Sequence, residues 1–391
     1  MLPFEKALKI VIDSACLLGA ERIDIAKAAG RILAEDVESD IDMPAFNKST
    51  RDGFACRRKD LANELTMVES IPAGYVPKKT IGPNQCSKIM TGGVVPSGAD
   101  CVIMKEYIEI PAENTVRFVG EETEDNISQK AEDIKTGDIV LRKGMRLEPQ
   151  HIAILASVGK VQPMVAIRPR IAVMATGDEL VEPASKPGPA QTRNSNSFQL
   201  VAQVQKMGLT ATNYGVAGDS VSHIDSIFKK AAEENDVVII SGGVSVGELD
   251  LVPGILRQNG VELLFEKIAV KPGKPTVFGM SEKVYCFGLP GNPVSSFVLF
   301  EILVKPFLYK LMGHNYSPPN VRLSLGESLR RKETLRQRWL PVAITQTGTV
   351  KAIEYHGSAH ISSLSCADGL VSMGVGVAEI EKGTIIPVRL I

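Results

Sequence analysis

Three apolar runs, each closing on a glycine-bearing loop and each followed by helical spacing, constrain this chain more than any other feature. Arg170–Ala175 (RIAVMA) leads into Thr176-Gly177-Asp178-Glu179-Leu180, and Asp236–Ile240 (DVVII) leads into Ser241-Gly242-Gly243-Val244-Ser245-Val246-Gly247. Val284–Phe287 leads into Gly288-Leu289-Pro290-Gly291-Asn292-Pro293 and a long apolar helix to about Leu311. Between them, Asn194, Ser195, Asn196 and Ser197 offer caps to a helix ending at Gly208, followed by a short strand at 211–217. After Gly218-Asp219-Ser220, a helix carries Val221, Ile224, Ile227, Phe228 and Ala231 on one stripe. Strands and helices alternating at these lengths predict an α/β domain built on a doubly wound parallel sheet.

The rest of the chain has a different texture. At 391 residues it is too long for one hydrophobic core. Phe4, Ala7, Leu8, Val11, Ala15 and Leu18 predict an amphipathic helix over 4–19, and a second helical stretch follows around Ile25–Leu33. Residues 43–133 are rich in Gly, Pro and short alternating runs, which predicts a mostly β module. A helix is expected at 149–158. Residues 320–391 read as short strands and glycine turns, a small β-barrel or sandwich. The expected organisation is therefore multidomain: a split N-terminal domain (1–42 and 134–168), the inserted β module (43–133), the α/β domain (169–317) and a C-terminal barrel (318–391).

Charge and composition narrow the function. A net charge of −1 gives no global attraction to nucleic acid or an anionic membrane, so any anion site must be local. No run of about 20 apolar residues suggests a membrane span, and the N-terminus lacks a signal-type apolar core. Six scattered cysteines without a C-x-x-C pair fit reduced thiols and a cytoplasmic location. His356 and His360 stand four apart, but Gly357 and Ser358 between them break a helical metal-binding reading.

In an open α/β sheet, ligands bind outside the carboxyl ends of the strands. Three candidate loops (176–180, 241–250 and 288–293) fall at such ends. Their backbone can approach an anion closely at Gly177, Ser241, Gly242, Gly243, Ser245, Gly247, Pro290, Gly291 and Asn292. Asp178, Glu179, Asp219, Glu248 and Asp250 lie beside them. Asp219 reads equally as a helix cap. Carboxylates around an anion pocket repel the ligand unless a divalent cation such as Mg²⁺ lies between, and Glu179 and Asp250 are the candidate metal ligands. Lys271-Pro272-Gly273-Lys274-Pro275 places two ammonium groups in a rigid turn, either an anion site or a solvated basic turn. In the β module, Thr91-Gly92-Gly93-Val94-Val95-Pro96-Ser97-Gly98-Ala99-Asp100 is longer than a hairpin needs.

Taken in order, STRDGFA (49–55), MTGGVVPSGAD (90–100), ATGDEL (175–180), SGGVSVGELD (241–250), KPGKP (271–275) and GLPGNPVSSF (288–297) resemble the motifs of the molybdopterin molybdenumtransferase (MoeA) family, which includes the E domain of gephyrin. The resemblance covers essentially the whole chain, including GSAHISSL at 357–364. It implies a MogA/MoaB-like molybdopterin-binding domain and a homodimer whose active site lies between that domain and the β module of the partner chain. It implies insertion of molybdate into adenylylated molybdopterin with release of AMP, promoted by Mg²⁺. A MogA/MoaB-like adenylyltransferase would be a partner. By motif it marks Asp52, Thr91, Asp133, Glu179, Asp219 and Asp250 as functional, and Lys271, Lys274, Arg336 and Ser358 as holding molybdate or the ligand. Arg51, Lys130-Ala131 and Ala359 depart from the family's usual Met, Arg-Gly and Gly. A tungsten-handling relative, using tungstate, is therefore an alternative. A CinA-like hydrolase of nucleotide-linked substrates would explain SGGVSVGELD alone.

Overall fold

The computed structural model describes residues 1–245, 251–353, 357 and 359–391. The expectations placed on Gly247, Glu248, Asp250, His356 and Ser358 lie outside the described residues. The chain forms two compact units, one of residues 1–22, 30–34 and 164–391, the other of residues 23–29 and 35–163.

The first unit contains a six-stranded sheet. Its elements in chain order are β1 (Ile171–Thr176), α1 (Asn196–Lys206), β2 (Ala211–Ala217), α2 (Val221–Glu234), β3 (Val237–Ser241), α3 (Val252–Gln258), β4 (Glu262–Lys267), β5 (Pro275–Met280), β6 (Tyr285–Leu289) and α4 (Pro293–Leu299). The spatial order is β2-β1-β3-β6-β5-β4. β2, β1, β3 and β6 run parallel, while β5 is antiparallel to both neighbours. The sheet is therefore mixed at one side, through a β4–β5 pair that the 262–280 segment did not announce.

Period-two alternation divides the strands between two cores. Ile171, Val173, Val237 and Ile239 pack with Leu200 and Val204 of α1 and with Val294 and Val298 of α4. Ala172, Met174, Val238 and Ile240 pack with Ile224 and Phe228 of α2 and Ile255 of α3. Both sheet faces are covered, which is why these strands read as unbroken apolar runs. The apolar helix after β6 continues from Pro293 through one π-helical stretch, Phe300–Val304, into Lys305–Leu311.

The C-terminal strands Asn320–Leu325, Gln337–Ile344, Thr349–Ala352, Gly369–Met373 and Ile385–Leu390 close on themselves as a five-stranded barrel. The pair Val270–Lys271 extends it alongside Gln337 and Arg338.

Two helical expectations are corrected. The first helix stops at Asp13 rather than continuing to 19. Beyond it, the Tyr285 hydroxyl donates to Ser14 O and accepts from Cys16 N–H, both at 3.1 Å, so tertiary bonds replace helical ones. Around Ile25–Leu33 only a 3-10 turn forms, Ile25–Lys27, capped by Asp24. Ile32 and Leu33 instead join extended backbone, with Ala166 N–H donating to Ile32 O at 2.8 Å and Leu33 bridging Val165. The helix expected at 149–158 forms as Pro149–Ser157.

The second unit holds a six-stranded sheet ordered Cys101–Met104, Gly53–Cys56, Gln85–Ile89, Glu64–Ile71, Thr115–Phe118 and Ile108–Ala112. Gly53 sits where a Cβ would lie 1.9 Å from Ile103 O, so only glycine allows that strand pair. Ala131 adopts φ +62, a left-handed conformation that costs an alanine about 1 kcal/mol. This is one of the two positions where the chain departs from Arg-Gly. Ala131→Gly is expected to raise stability by about 0.5–1 kcal/mol in denaturant titration, and a loss of stability would contradict the strain argument.

All six cysteines are free thiols. No helix among the described residues is long and apolar enough to cross a membrane.

Candidate functional site

β1 and β3 are adjacent, but β2 lies outward from β1 and β6 outward from β3, so chain direction across the sheet reverses between β1 and β3. The connections leaving the carboxyl ends run apart at such a point and leave a crevice. A cleft of about 590 Å³ opens there, with Thr176, Gly177 and Glu179 at the end of β1, Ser241, Gly242, Gly243 and Ser245 at the end of β3, and Pro290, Gly291 and Asn292 after β6. Sequence reasoning placed all of these in its three candidate loops, and the fold brings them together.

Asn196, at the start of α1, braces the cleft. Its Nδ2 donates to Ser241 Oγ at 2.8 Å and to Gly291 O at 2.7 Å, tying two strand-end loops to one helix. Asn194 Oδ1 accepts from Ser197 N–H at 3.2 Å. Among the described residues, four side-chain atoms around this brace are buried without a hydrogen-bond partner: Thr176 Oγ1, Asn194 Nδ2, Asn196 Oδ1 and Ser197 Oγ. Each such group costs about 1–3 kcal/mol if nothing satisfies it. A concentration of them under one cleft is where a binding function is expected. The sequence suggested only helix caps for Asn194 and Asn196; their second polar atoms carry the further signal. Arg193, also unforeseen, lines the same cleft and donates from Nε to Ser185 O at 3.0 Å.

Glu179 is exposed at the rim, with its Oε2 2.3 Å from where a Cβ on Gly177 would stand. Asp219 also lines the cleft, but it is not the helix cap. Ser220 is: its Oγ accepts from His223 N–H at 3.3 Å. Asp219 and Asp178 instead exchange bonds, Asp219 N–H to Asp178 Oδ1 at 2.9 Å and Asp178 N–H to Asp219 Oδ2 at 3.3 Å. Asp219 thereby holds the loop that carries Glu179. Ser220→Ala is expected to lower stability by about 1 kcal/mol while sparing the cleft. Asp219→Ala should lower ligand affinity with a smaller change in melting temperature, and the reverse pattern in a paired calorimetric and melting measurement would count against this division.

The two lysines do not form one free cationic site. Lys271 Nζ pairs with Glu333 at 3.0 Å, and Arg336 holds the same carboxylate at 2.6 Å. Arg336, then Lys271, keeps the Glu333 carboxyl below its ordinary pKa. Lys274 is exposed. Glu333 is thus the anion beside this turn within the chain, and neither lysine lines the cleft.

In the second unit, adjacent strands gather Asp52, Thr91 and Lys105. Asp52 Oδ1 accepts from Thr91 N–H at 2.8 Å and Thr91 Oγ1–H at 2.9 Å, and Lys105 Nζ lies 3.5 Å from Oδ2. The Thr91 backbone bond above all lowers the Asp52 pKa below that of an ordinary aspartate. Lys105 was not foreseen, although it directly follows the strand that pairs with Gly53–Cys56. Asp133 lines a separate recess of the same unit with Met43, Pro44, Lys48, Ser128 and Glu132.

No group of three or more His, Cys, Asp or Glu side chains is placed to hold a metal among the described residues. The donor chemistry at the cleft rim, a carboxylate beside a polar cradle, nevertheless suits Mg²⁺, which usually takes one or two carboxylates together with substrate phosphates.

Residues 2–159 match the model of the MoeA N-terminal region (domain I and II), residues 172–310 that of a probable molybdopterin binding domain, and residues 323–391 that of the MoeA C-terminal region (domain IV). A molybdopterin molybdenumtransferase of Staphylococcus epidermidis is 36% identical over 397 aligned positions, covering 99% of this chain and 94% of that protein. The chain belongs to the MoeA family of molybdopterin molybdenumtransferases. A Staphylococcus aureus member is 35% identical over 90% of each chain. The crystal structure of a MoeA protein from Pyrococcus horikoshii OT3 superposes with a TM-score of 0.86 at 29% identity, over 100% of both chains. MoeA membership makes the chain an enzyme of molybdenum cofactor biosynthesis. A hydrolase built on the α/β domain alone would leave the matched N-terminal and C-terminal regions without explanation.

Proposed function

We propose that this MoeA-family chain inserts molybdate into adenylylated molybdopterin, with release of AMP, at the cleft between the ends of β1, β3 and β6. The observation that carries the reading is the convergence of three strand-end loops on one polar cradle, in a chain related over its full length to molybdopterin molybdenumtransferases. The backbone N–H groups of Gly243 and Gly291 would receive phosphate oxygens, with Arg193 as the nearby cation, whereas the Gly242 N–H is already given to Leu289 O at 2.9 Å. Glu179, together with Asp250 outside the described residues, would hold Mg²⁺. When bound there, Mg²⁺ would polarise the phosphoanhydride and offset carboxylate–phosphate repulsion. The dithiolene sulfurs of the substrate are the nucleophiles, so the protein's task is positioning.

Lys271, Lys274, Arg336 and Ser358 are proposed to hold the metal oxyanion. For Lys271 this requires a dianion to compete with Glu333. The proposal includes a cytoplasmic homodimer and a MogA/MoaB-like adenylyltransferase that supplies the adenylylated substrate. Mixing Asp52→Ala with Glu179→Ala chains should restore activity in verified heterodimers if the two residues serve one site across chains.

The deciding experiment is AMP release from adenylylated molybdopterin by the purified chain, with Mg²⁺ and either molybdate or tungstate. Release with neither oxyanion would sink the reading. Faster release with tungstate would favour the tungsten-handling alternative, to which the departures at Arg51, Lys130-Ala131 and Ala359 give its footing.

A further inference from the structure

We infer that the floor of the cleft is a hydrogen-bonding receptor for an uncharged part of the ligand, one offering both a donor and an acceptor, rather than for its phosphates. The inference rests on the reading of this cleft as the substrate site. It starts from the orientation of two amides. Asn196 must turn its nitrogen toward Gly291 O, because a carbonyl oxygen can only accept, so its Oδ1 is the atom left over. Asn194 must turn its oxygen toward Ser197 N–H, because that group can only donate, so its Nδ2 is left over. Among the described residues, the side chains under the cleft therefore hold one spare acceptor, one spare donor and the Thr176 hydroxyl, which serves as either, each of these atoms closed over by its neighbours.

All three side chains line the cleft, and they are only 4%, 1% and 7% exposed for Thr176, Asn194 and Asn196. None carries a formal charge. The phosphates of a pyrophosphate link, fully ionised at neutral pH, offer acceptors alone: they could take the Asn194 N–H and the Thr176 O–H, but they would set an anionic oxygen against Asn196 Oδ1. A ring edge that carries N–H beside C=O, or a sugar hydroxyl, matches both amides. The pterin and the nucleoside of an adenylylated pterin both supply such groups. Phosphates are better served by the N–H groups of Gly243 and Gly291, which are donors.

Two neutral variants isolate the floor. Thr176→Val replaces the unpartnered hydroxyl by a methyl of the same shape. Asn194→Ser removes the spare amide donor while keeping an oxygen that can accept from Ser197 N–H. Binding of a fluorescent pterin, of AMP and of inorganic pyrophosphate would be measured by titration for the intact chain and both variants, alongside melting temperatures. The expected result is an affinity about tenfold lower for the pterin or for AMP, whichever the floor receives, with pyrophosphate within about twofold and Thr176→Val melting no lower than the parent. Organic-probe affinities unchanged in both variants, with melting temperature alone altered, would mean these atoms serve an internal water and would overturn the inference. Loss of pyrophosphate binding in step with the organic probes would overturn it too, by showing a phosphate floor. If the parent chain binds none of the three probes, it is the assignment of this cleft as the substrate site that fails.

Discussion

Alanine at Gly242 is expected to lower AMP release by about a hundredfold or more, the scale of a displacement near 1 Å at reacting groups. Gly242 has φ +101, which L side chains rarely adopt, and a Cβ there would stand 2.5 Å from Thr176 O and 2.9 Å from Thr176 Oγ1. The first contact is with backbone, so a side-chain rotation cannot relieve it. The β3 loop would have to move away from the end of β1, and the cradle formed by those two loops would open. Gly254 is the control: it lies in α3, and a Cβ there meets no atom within 4 Å. Gly254→Ala should be neutral or stabilising by about 0.5–1 kcal/mol. Steady-state AMP release and melting curves on both variants decide the matter. Unimpaired turnover in Gly242→Ala would show that the β1–β3 spacing is not what positions the substrate.

Glu179→Gln is expected to reduce Mg²⁺-dependent AMP release by about 10–100-fold and to move the Mg²⁺ midpoint upward. The substitution keeps size and one acceptor but removes the negative charge. Glu179 has no ion-pair partner among the described residues, so the change leaves no cation stranded and should barely affect folding. The comparison is Asp219→Asn. Its remaining carbonyl oxygen can still accept from Asp178 N–H, so the loop should hold and the Mg²⁺ midpoint should stay in place. A helix-capping Asp219 would give the same outcome, but the physical reason differs, because Ser220 does the capping. If Asp219→Asn shifts the Mg²⁺ midpoint and Glu179→Gln does not, Glu179 is not the metal-facing carboxylate.

Legibility in the sequence follows the range of the interactions involved. Strands buried on both faces must be apolar throughout, so β1 and β3 announced themselves as RIAVMA and DVVII. The stripe of Ile224, Phe228 and Ala231 announced α2 in the same way. Local pattern failed where long-range bonds compete with it. The first helix looked continuous to 19, but Tyr285, some 270 positions away in sequence, takes up the backbone groups of Ser14 and Cys16. Ile32 and Leu33 carried helical spacing and were drawn into extended pairing with the 164–166 segment. The β4–β5 pair was missed because β4 is only partly buried and takes its register from β5, which in turn takes its own from β6.

The candidate site divides along the same line. Glycines at strand ends and the acids beside them were visible by residue type, because a backbone cradle needs particular residues at particular places in the chain. The sequence by itself also determined the family, through several motifs in one order. Which polar atoms remain unpartnered was not visible at all. Asn194 and Asn196 look like interchangeable caps in the string TRNSNS, and only the positions of Ser197 N–H and Gly291 O make one a spare donor and the other a spare acceptor. Lys271 looked like a free cation until the fold brought Glu333 beside it, and Asp219 like a cap until the fold brought Asp178 beside it. A residue's chemistry is written in its identity, but whether that chemistry is spent on the fold or left for a ligand depends on partners that only tertiary contact supplies.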